Sequence, residues 1–370
     1  MRTEYVIYGW GLGLSFFVAA GLTAFVRRLA LRWAIVDHPG HRKMHHSPIP
    51  LMGGVAIVAT FYMVLLGAFL SVYLSDQLGM AWVRTHLLGF LGEGALGRVT
   101  GILLGAVLIF LLGVVDDLWT LTPWIKLIGQ VVAAAALVAF GVRIELFVLS
   151  NPILSALVTM FWVILLTNSL NFLDNMDGLC GGVSIIAAAS FFLCVQPDDY
   201  LVRFILAVFA GSVGGFLYHN LSPARIFMGD AGSMFSGYIL ATTAVLGTYH
   251  VQASPDHPGT ASHIAVAAPL LALSVPLFDT FSVIYIRWRN GESIMKGDKR
   301  HFSHRLVDLG MTPRQAVEFI FLVAGVLGLG GALLPKLDRS ATIIIIAQTI
   351  GVFLLIVLLM NAGKRNPRDD

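Results

Sequence analysis

The chain has 370 residues and a formal net charge of +3; 57% of its residues are hydrophobic, only 12% are charged, and the mean hydropathy is +0.82. Soluble domains are about 45–50% apolar and about 25% charged, so this composition excludes an ordinary water-soluble core and makes lipid the natural solvent. The small net charge, with no basic stripe carrying interleaved aromatics, excludes nucleic acid as a partner.

A helix needs about 20 mostly apolar residues to cross the hydrocarbon of a bilayer. Runs of this kind predict spans near 5–26, 51–74, 99–115, 125–141, 152–170, 179–195, 201–217, 232–250, 264–286, 317–334 and 341–360. The expected fold is therefore all-α, a polytopic membrane protein of about eleven helices. The first run has no small-residue cleavage site after it and reads as a retained span rather than a signal peptide. The runs at 125–141 and 201–217 are the shortest and closest to their neighbours. No soluble domain fits between the spans, so 1–370 reads as a single transmembrane domain. Cys180 and Cys194 lie inside apolar runs without metal-type spacing and read as inert buried thiols. Pairs such as Gly9 and Gly13, or Gly211 and Gly215, have the spacing of close helix packing. No internal repeat is visible, which argues against many transporter architectures.

Lysine and arginine placement sets the expected orientation. Arg27, Arg28, Arg32, Arg42 and Lys43 fall in or beside the first loop. Arg287, Arg289, Lys296, Lys299, Arg300, Arg305 and Arg314 fall in the ninth, and Lys364, Arg365 and Arg368 in the tail. With eleven spans these regions share one side, while the 75–98 loop holds only Arg84 and Arg98. The C-terminus is expected in the cytoplasm and the N-terminus outside.

On that topology the polar clusters gather at the cytoplasmic side. Asp116 and Asp117 end the third span in VVDDLWTL; Asn171, Asp174, Asn175 and Asp177 follow the fifth in NFLDNMDGL. Asp230 precedes the eighth in FMGDAGS, and His301, His304 and Arg305 lie in the ninth loop in HFSHRL. Two adjacent acids at a helix C-terminus face the unfavourable end of its dipole, so cations are expected beside them. Carboxylate and amide oxygens without a cysteine partner form a hard environment suited to Mg²⁺ that also meets substrate phosphates. Small residues around Asp230 at a helix start let backbone N–H groups approach phosphate, although a plain N-cap also explains the string. On a helix, His301 and His304 would share a face, and with Arg305 they suit charge neutralisation on a diphosphate being cleaved. A zinc site lacks a third nearby ligand. His45, His46, His219, His250, His257 and His263 read as ordinary loop or interface histidines.

Together these motifs resemble the polyprenyl-phosphate N-acetylhexosamine-1-phosphate transferase family over most of the chain, from about Val36 to Leu309. VDHPGHRKMHHSPIPLMGG is similar to the family's first cytoplasmic loop, and VVDDLWTL, NFLDNMDG, FMGDAGS and PLFDTFSVIYIRWRNGESIMKGDKRHFSHRL follow in the family's order. Thr120 stands where the peptidoglycan translocase carries a lysine, and the histidines are split as His301 and His304. The pattern is therefore similar to the bacterial undecaprenyl-phosphate GlcNAc-1-phosphate branch, with Arg305 a departure from members that carry another histidine. The resemblance implies that Asp230 and Asn171 hold Mg²⁺ (or Mn²⁺) and that Lys126 contacts diphosphate. Phe227 would stack on uracil, with Asp174 and Asp177 on the donor side and Asp177 near the uracil edge. His301, His304 and Arg305 would hold the donor's phosphates or sugar. Asp116 or Asp117 would act on the carrier phosphate, Asp116 as base and Asp117 as phosphate or metal partner. Asp279 belongs to the same pattern, either as structural partner of a neighbouring cation or as a site residue.

The implied reaction is transfer of GlcNAc 1-phosphate from UDP-GlcNAc to undecaprenyl phosphate with release of UMP, the first membrane step of a cell-surface glycan such as lipopolysaccharide or cell wall. The expected location is the bacterial inner membrane; the oligomeric state is open, with a homodimer as one arrangement. Two rivals are a transporter for an anionic solute, whose carboxylates would sit at the midplane rather than at one interface, and a polyprenyl diphosphate phosphatase, which would need no uracil-stacking Phe227.

Overall fold

A computed structural model describes residues 3–37, 48–77, 95–144, 151–196, 199–248, 267–293 and 300–362. Arg42, Lys43, His45, His46, Arg84, His250, His257, His263, Lys296, Lys299, Lys364, Arg365 and Arg368 lie outside them. The first helices are α1 (Thr3–Arg32), α2 (Gly53–Gln77), α3 (Ala95–Trp119), α4 (Pro123–Ala139) and α5 (Pro152–Leu173). They are followed by α6 (Leu179–Cys194), α7 (Tyr200–Asn220) and α8 (Gly229–Thr248). The chain continues through α9 (Ala267–Ala272), α10 (Ser274–Arg289), α11 (Phe302–Asp308), α12 (Pro313–Leu333) and α13 (Arg339–Ala362). A two-stranded antiparallel ribbon, β1 (Val36–Asp37) with β2 (Ile49–Pro50), pairs Val36 with Pro50 and Asp37 with Ile49. It is the small exception to an all-helical chain.

Each expected span contains a helix, and the physical character of these helices differs. Seven among the described residues are long and apolar enough to cross a membrane: Glu4–Arg32, Gly53–Ser71, Leu96–Trp119, Pro152–Leu173, Tyr200–Asn220, Pro313–Leu333 and Ser340–Asn361. The 201–217 run, short by sequence, thus extends to a full-length helix. Pro123–Ala139 and Leu179–Cys194 are apolar but shorter. The run at 264–286 breaks at Leu273 into α9 and α10. Pro276 has no N–H to give to Ala272, four residues back, so the helical ladder is interrupted there.

Helix α8 is the centre of the bundle. Residues from Ala231 to Gly247 are buried along all its faces, and it packs against α2, α3, α5, α6 and α7. Its Gly, Ala, Ser and Thr residues allow close approach of neighbours: a Cβ on Gly54 of α2 or Gly113 of α3 would collide with its backbone at Gly232 or Ala231. The outer helices expose Trp10, Phe17, Leu322 and Leu358, side chains that hydrocarbon solvates without penalty while the helical backbone satisfies itself. Ser15, Ser212, Ser236 and Thr243 turn their hydroxyls back to carbonyls three to four residues earlier, so these four are satisfied within their own helices.

Candidate active site

The site begins where α8 begins. Gly229 has φ +75°, a left-handed conformation open to glycine, and a Cβ there would fall 2.6 Å from Asp117 Oδ2. The first N–H groups of a helix have no intrahelical acceptor. Asp117, at the end of α3, supplies one: the Asp230 N–H donates to Oδ1 at 2.7 Å and the Ala231 N–H to Oδ2 at 3.1 Å. An acid at the unfavourable end of one helix is therefore stabilised by the favourable end of another.

Its neighbour Asp116 takes a different partner. Asp116 is buried, accepts the Leu121 N–H at 2.6 Å, and pairs with the Lys126 ammonium. The same ammonium donates to Asp230 Oδ2 at 2.6 Å, so one lysine at the start of α4 bridges acids from α3 and α8. The other Asp230 oxygen accepts from Asn171 Nδ2 at 2.9 Å, and that amide also donates to Ser233 Oγ at 2.9 Å. Asp174, at the C-terminal cap of α5, adds a fourth carboxylate. Burial, reinforced by the charges of Asp230 and Asp117, pushes Asp174 up to about 8, against a smaller opposing effect of the Gly229 N–H. Asp116 and Asp230 thus share one ammonium, with Asp117 and Asp174 close by, and this cluster carries surplus negative charge.

The surrounding segments are pinned by side chains. Asp177 accepts the Ala224 N–H at 2.9 Å. Buried Asn220 accepts the Gly178 N–H at 3.0 Å and donates to the Ile226 carbonyl at 2.8 Å. Phe227 runs beside the end of the first loop, its N–H donating to Pro50 O at 2.8 Å and its carbonyl accepting from Gly53 at 2.9 Å. Arg27, near the end of α1, donates to the Arg225 carbonyl at 3.1 Å.

Helix α11 closes one flank. His301 is its N-cap residue rather than a member of the helix, so the expectation that His301 and His304 share a helical face gives way to a cap followed by a first-turn histidine. Ser303 donates to Asn175 Oδ1 at 2.6 Å, tying α11 to the segment after α5. The His301 ring lies 6.2 Å from that of Phe172, the residue after Asn171. Arg305 donates to Ser282 Oγ at 2.6 Å on α10.

The structure therefore gathers Asp116, Asp117, Lys126, Asn171, Asp174 and Asp230 in one cluster. Asp177, Phe227, His301, His304 and Arg305 are on the segments that border it. Sequence reasoning overlooked Asn220, Ser233 and the buried Gln130, whose amide exchanges hydrogen bonds with Asn168 at 3.2 and 2.7 Å. For Asn220 and Ser233 the available signal was a polar residue near the same helix ends as the aspartates, whereas Gln130 lies in the middle of α4. His219, read as ordinary, bonds through Nε2 to the Ala20 carbonyl at 3.0 Å.

The model of the family described as glycosyl transferase family 4 matches residues 99–248, the stretch that carries the aspartates, Lys126 and Asn171. A Bacillus subtilis protein named "probable undecaprenyl-phosphate N-acetylglucosaminyl 1-phosphate transferase" is 30% identical, over 92% of this chain and 86% of its own. The decaprenyl-phosphate N-acetylglucosaminephosphotransferase of Mycolicibacterium smegmatis is 31% identical, over 97% of this chain and 92% of its own. The phospho-N-acetylmuramoyl-pentapeptide-transferase of Lactobacillus johnsonii is 31% identical over a smaller share, 76% of this chain and 83% of its own.

Proposed function

Given that the chain belongs to glycosyl transferase family 4 and is a glycosyl-1-phosphate transferase, we propose that it moves N-acetylglucosamine 1-phosphate from UDP-GlcNAc to undecaprenyl phosphate. UMP is the other product. The observation that carries this reading is one lysine held between Asp116 and Asp230, with Asp117 and Asp174 beside them, at the bundle end where α11 brings His301 and Arg305 alongside.

A hard divalent cation fits this donor set. Among the described residues no three acidic, histidine or cysteine side chains are already arranged as a metal cage. The surplus negative charge and the oxygen-only chemistry nevertheless suit Mg²⁺ or Mn²⁺ completed by substrate phosphates. Asp230 and the Asn171 amide oxygen would hold the ion, which when bound neutralises charge on the donor's diphosphate.

The residues themselves position and neutralise. The carrier's phosphate oxygen attacks the donor's β-phosphorus and UMP departs, a reaction whose acceleration comes mainly from alignment and charge stabilisation. Asp116 faces the carrier phosphate and takes its proton where it arrives protonated. Lys126, held between Asp116 and Asp230, contacts the diphosphate. His301, His304 and Arg305 bind the donor's phosphates and sugar, and Phe227 stacks on uracil with Asp177 at its edge.

Orientation follows the charges. Arg27, Arg28 and Arg32 end α1, and Arg287 and Arg289 end α10; the Arg27–Arg225 contact puts the first group beside the site. By the positive-inside tendency this end faces the cytoplasm in the inner membrane, with all eleven expected spans crossing and the N-terminus outside. Water-soluble nucleotide sugars reach the cluster from that side.

The test is a donor panel on purified protein with undecaprenyl phosphate and radiolabelled UDP-GlcNAc, UDP-GalNAc or UDP-MurNAc-pentapeptide. Label from UDP-GlcNAc is expected in lipid, with UMP released in equal amount. Labelling from a different donor, or phosphate release without UMP, overturns the proposal.

A further inference from the structure

We propose that Asp279 is a positioning residue for donor binding, acting through His301; this rests on the transferase reading above. Asp279 lies in α10 and is fully buried. A carboxylate removed from water is tolerated only with good donors, and it has two. The Phe302 N–H donates to Oδ1 at 2.5 Å, and His301 Nδ1 stands 2.8 Å from Oδ2.

The two contacts do different things. Phe302 is the first residue of α11, and its N–H is one of the groups a helix leaves unpaired. The His301 side chain makes no cap bond of its own, so Asp279 caps α11 from another helix. That task needs one oxygen. The second oxygen binds an imidazole, and an ionised carboxylate only accepts, so Nδ1 carries the proton. Nε2 is left as the nitrogen available to a ligand, with no partner among the described residues. A carboxylate that fixes the tautomer and direction of a working histidine is a recurrent arrangement.

The surrounding contacts make His301 depend on this pair. Thr280, next to Asp279, donates to Ser169 Oγ at 2.9 Å, which joins α10 to α5 two residues before Asn171. Ser303 binds Asn175 on the other side of that segment, and Phe172 flanks the ring. Asp279 therefore links the imidazole to the helix that supplies Asn171 without contacting substrate itself.

The test combines a mutant cycle with a direct reading of the proton. In Asp279→Asn the amide oxygen still accepts from Phe302, but its NH₂ now donates to Nδ1 and forces the proton to Nε2. We expect this variant to retain a near-wild-type melting temperature while its use of UDP-GlcNAc falls about 10–100-fold, the usual loss when an orienting partner is removed, with the KM for undecaprenyl phosphate unchanged. In a His301→Ala background the same substitution should cost almost nothing further. Additive losses, an unchanged donor response, or a selective change in carrier KM overturns the inference. Should Asp279→Asn fail to fold, ¹⁵N-histidine spectra of wild type, assigned by comparison with His301→Ala, decide it: a proton on Nδ1 supports it and a bare Nδ1 overturns it. Wild-type activity separates the two levels, because an inactive wild type removes the transferase reading, whereas an active one with additive losses removes only the role of Asp279.

Discussion

Asp117 at the end of α3 accepts the backbone N–H groups of Asp230 and Ala231 at 2.7 and 3.1 Å, so one acid of the cluster caps the helix that another acid begins. The two adjacent aspartates accordingly carry different loads. Asp116→Asn should lower turnover several hundred-fold or more, within the range of about 10²–10⁴ for loss of general-base assistance, while leaving thermal stability near wild type. Asp117→Ala should lower both, with about 1 kcal/mol of stability lost as for other removals of a capping side chain. Melting curves and initial rates on the two variants check the division; equal stability of both would refute it.

Gly229→Ala should be more damaging than its size suggests. The residue must adopt φ +75° and its Cβ would meet the Asp117 carboxylate. A β-carbon in that conformation costs more than the roughly 0.4–1 kcal/mol associated with ordinary glycine replacements. Displacement of Asp117 should also reduce turnover, and the pair of measurements is again rate and melting temperature.

Stability without divalent cation should depend on pH through Asp174. In an unfolded chain an aspartate loses its proton near pH 3.9, whereas in the fold Asp174 keeps it to about 8. Between those values the folded state binds more protons, so stability falls as pH rises through the window and levels off above it. Melting in chelator should therefore occur at higher temperature at pH 6 than at pH 8. Asp174→Asn should reduce that difference, and an unchanged slope in the variant would assign it to other groups.

If Asp230 holds the ion as proposed, Asp230→Ala should abolish divalent-cation-dependent activity at any Mg²⁺ concentration, because it removes a charged ligand. Asn171→Ala, which removes a neutral one, should regain part of its rate as Mg²⁺ is raised. A titration of rate against Mg²⁺ for both variants distinguishes them, and wild-type metal dependence in Asp230→Ala would withdraw it as a ligand.

The helices were legible because each apolar run long enough to span must bury or face lipid along its length, and the polar clusters stood out as interruptions at run ends. What joins those clusters was not. Lys126 and Asp230 are 104 residues apart, and Asp117 and Asp230 are 113 apart; no local pattern specifies that one lysine is shared or that Asp117 faces a helix N-terminus. The break at Leu273 was within reach through Pro276, but the apolar composition of the run concealed it. His301 looked helical by spacing, whereas the bond from Phe302 to Asp279 caps the helix so that it begins one residue later. That bond depends on the packing of α10, which spacing alone does not give.

The most direct test of the account is reversal by UMP. Forward transfer breaks one phosphoanhydride and forms another, so the equilibrium constant should lie within roughly tenfold of unity, about 1.4 kcal/mol. Purified protein supplied with undecaprenyl diphosphate GlcNAc, Mg²⁺ and UMP should regenerate UDP-GlcNAc, and excess UMP should inhibit the forward rate. Recovery of no UDP-GlcNAc, under conditions where forward transfer is fast, would contradict the account.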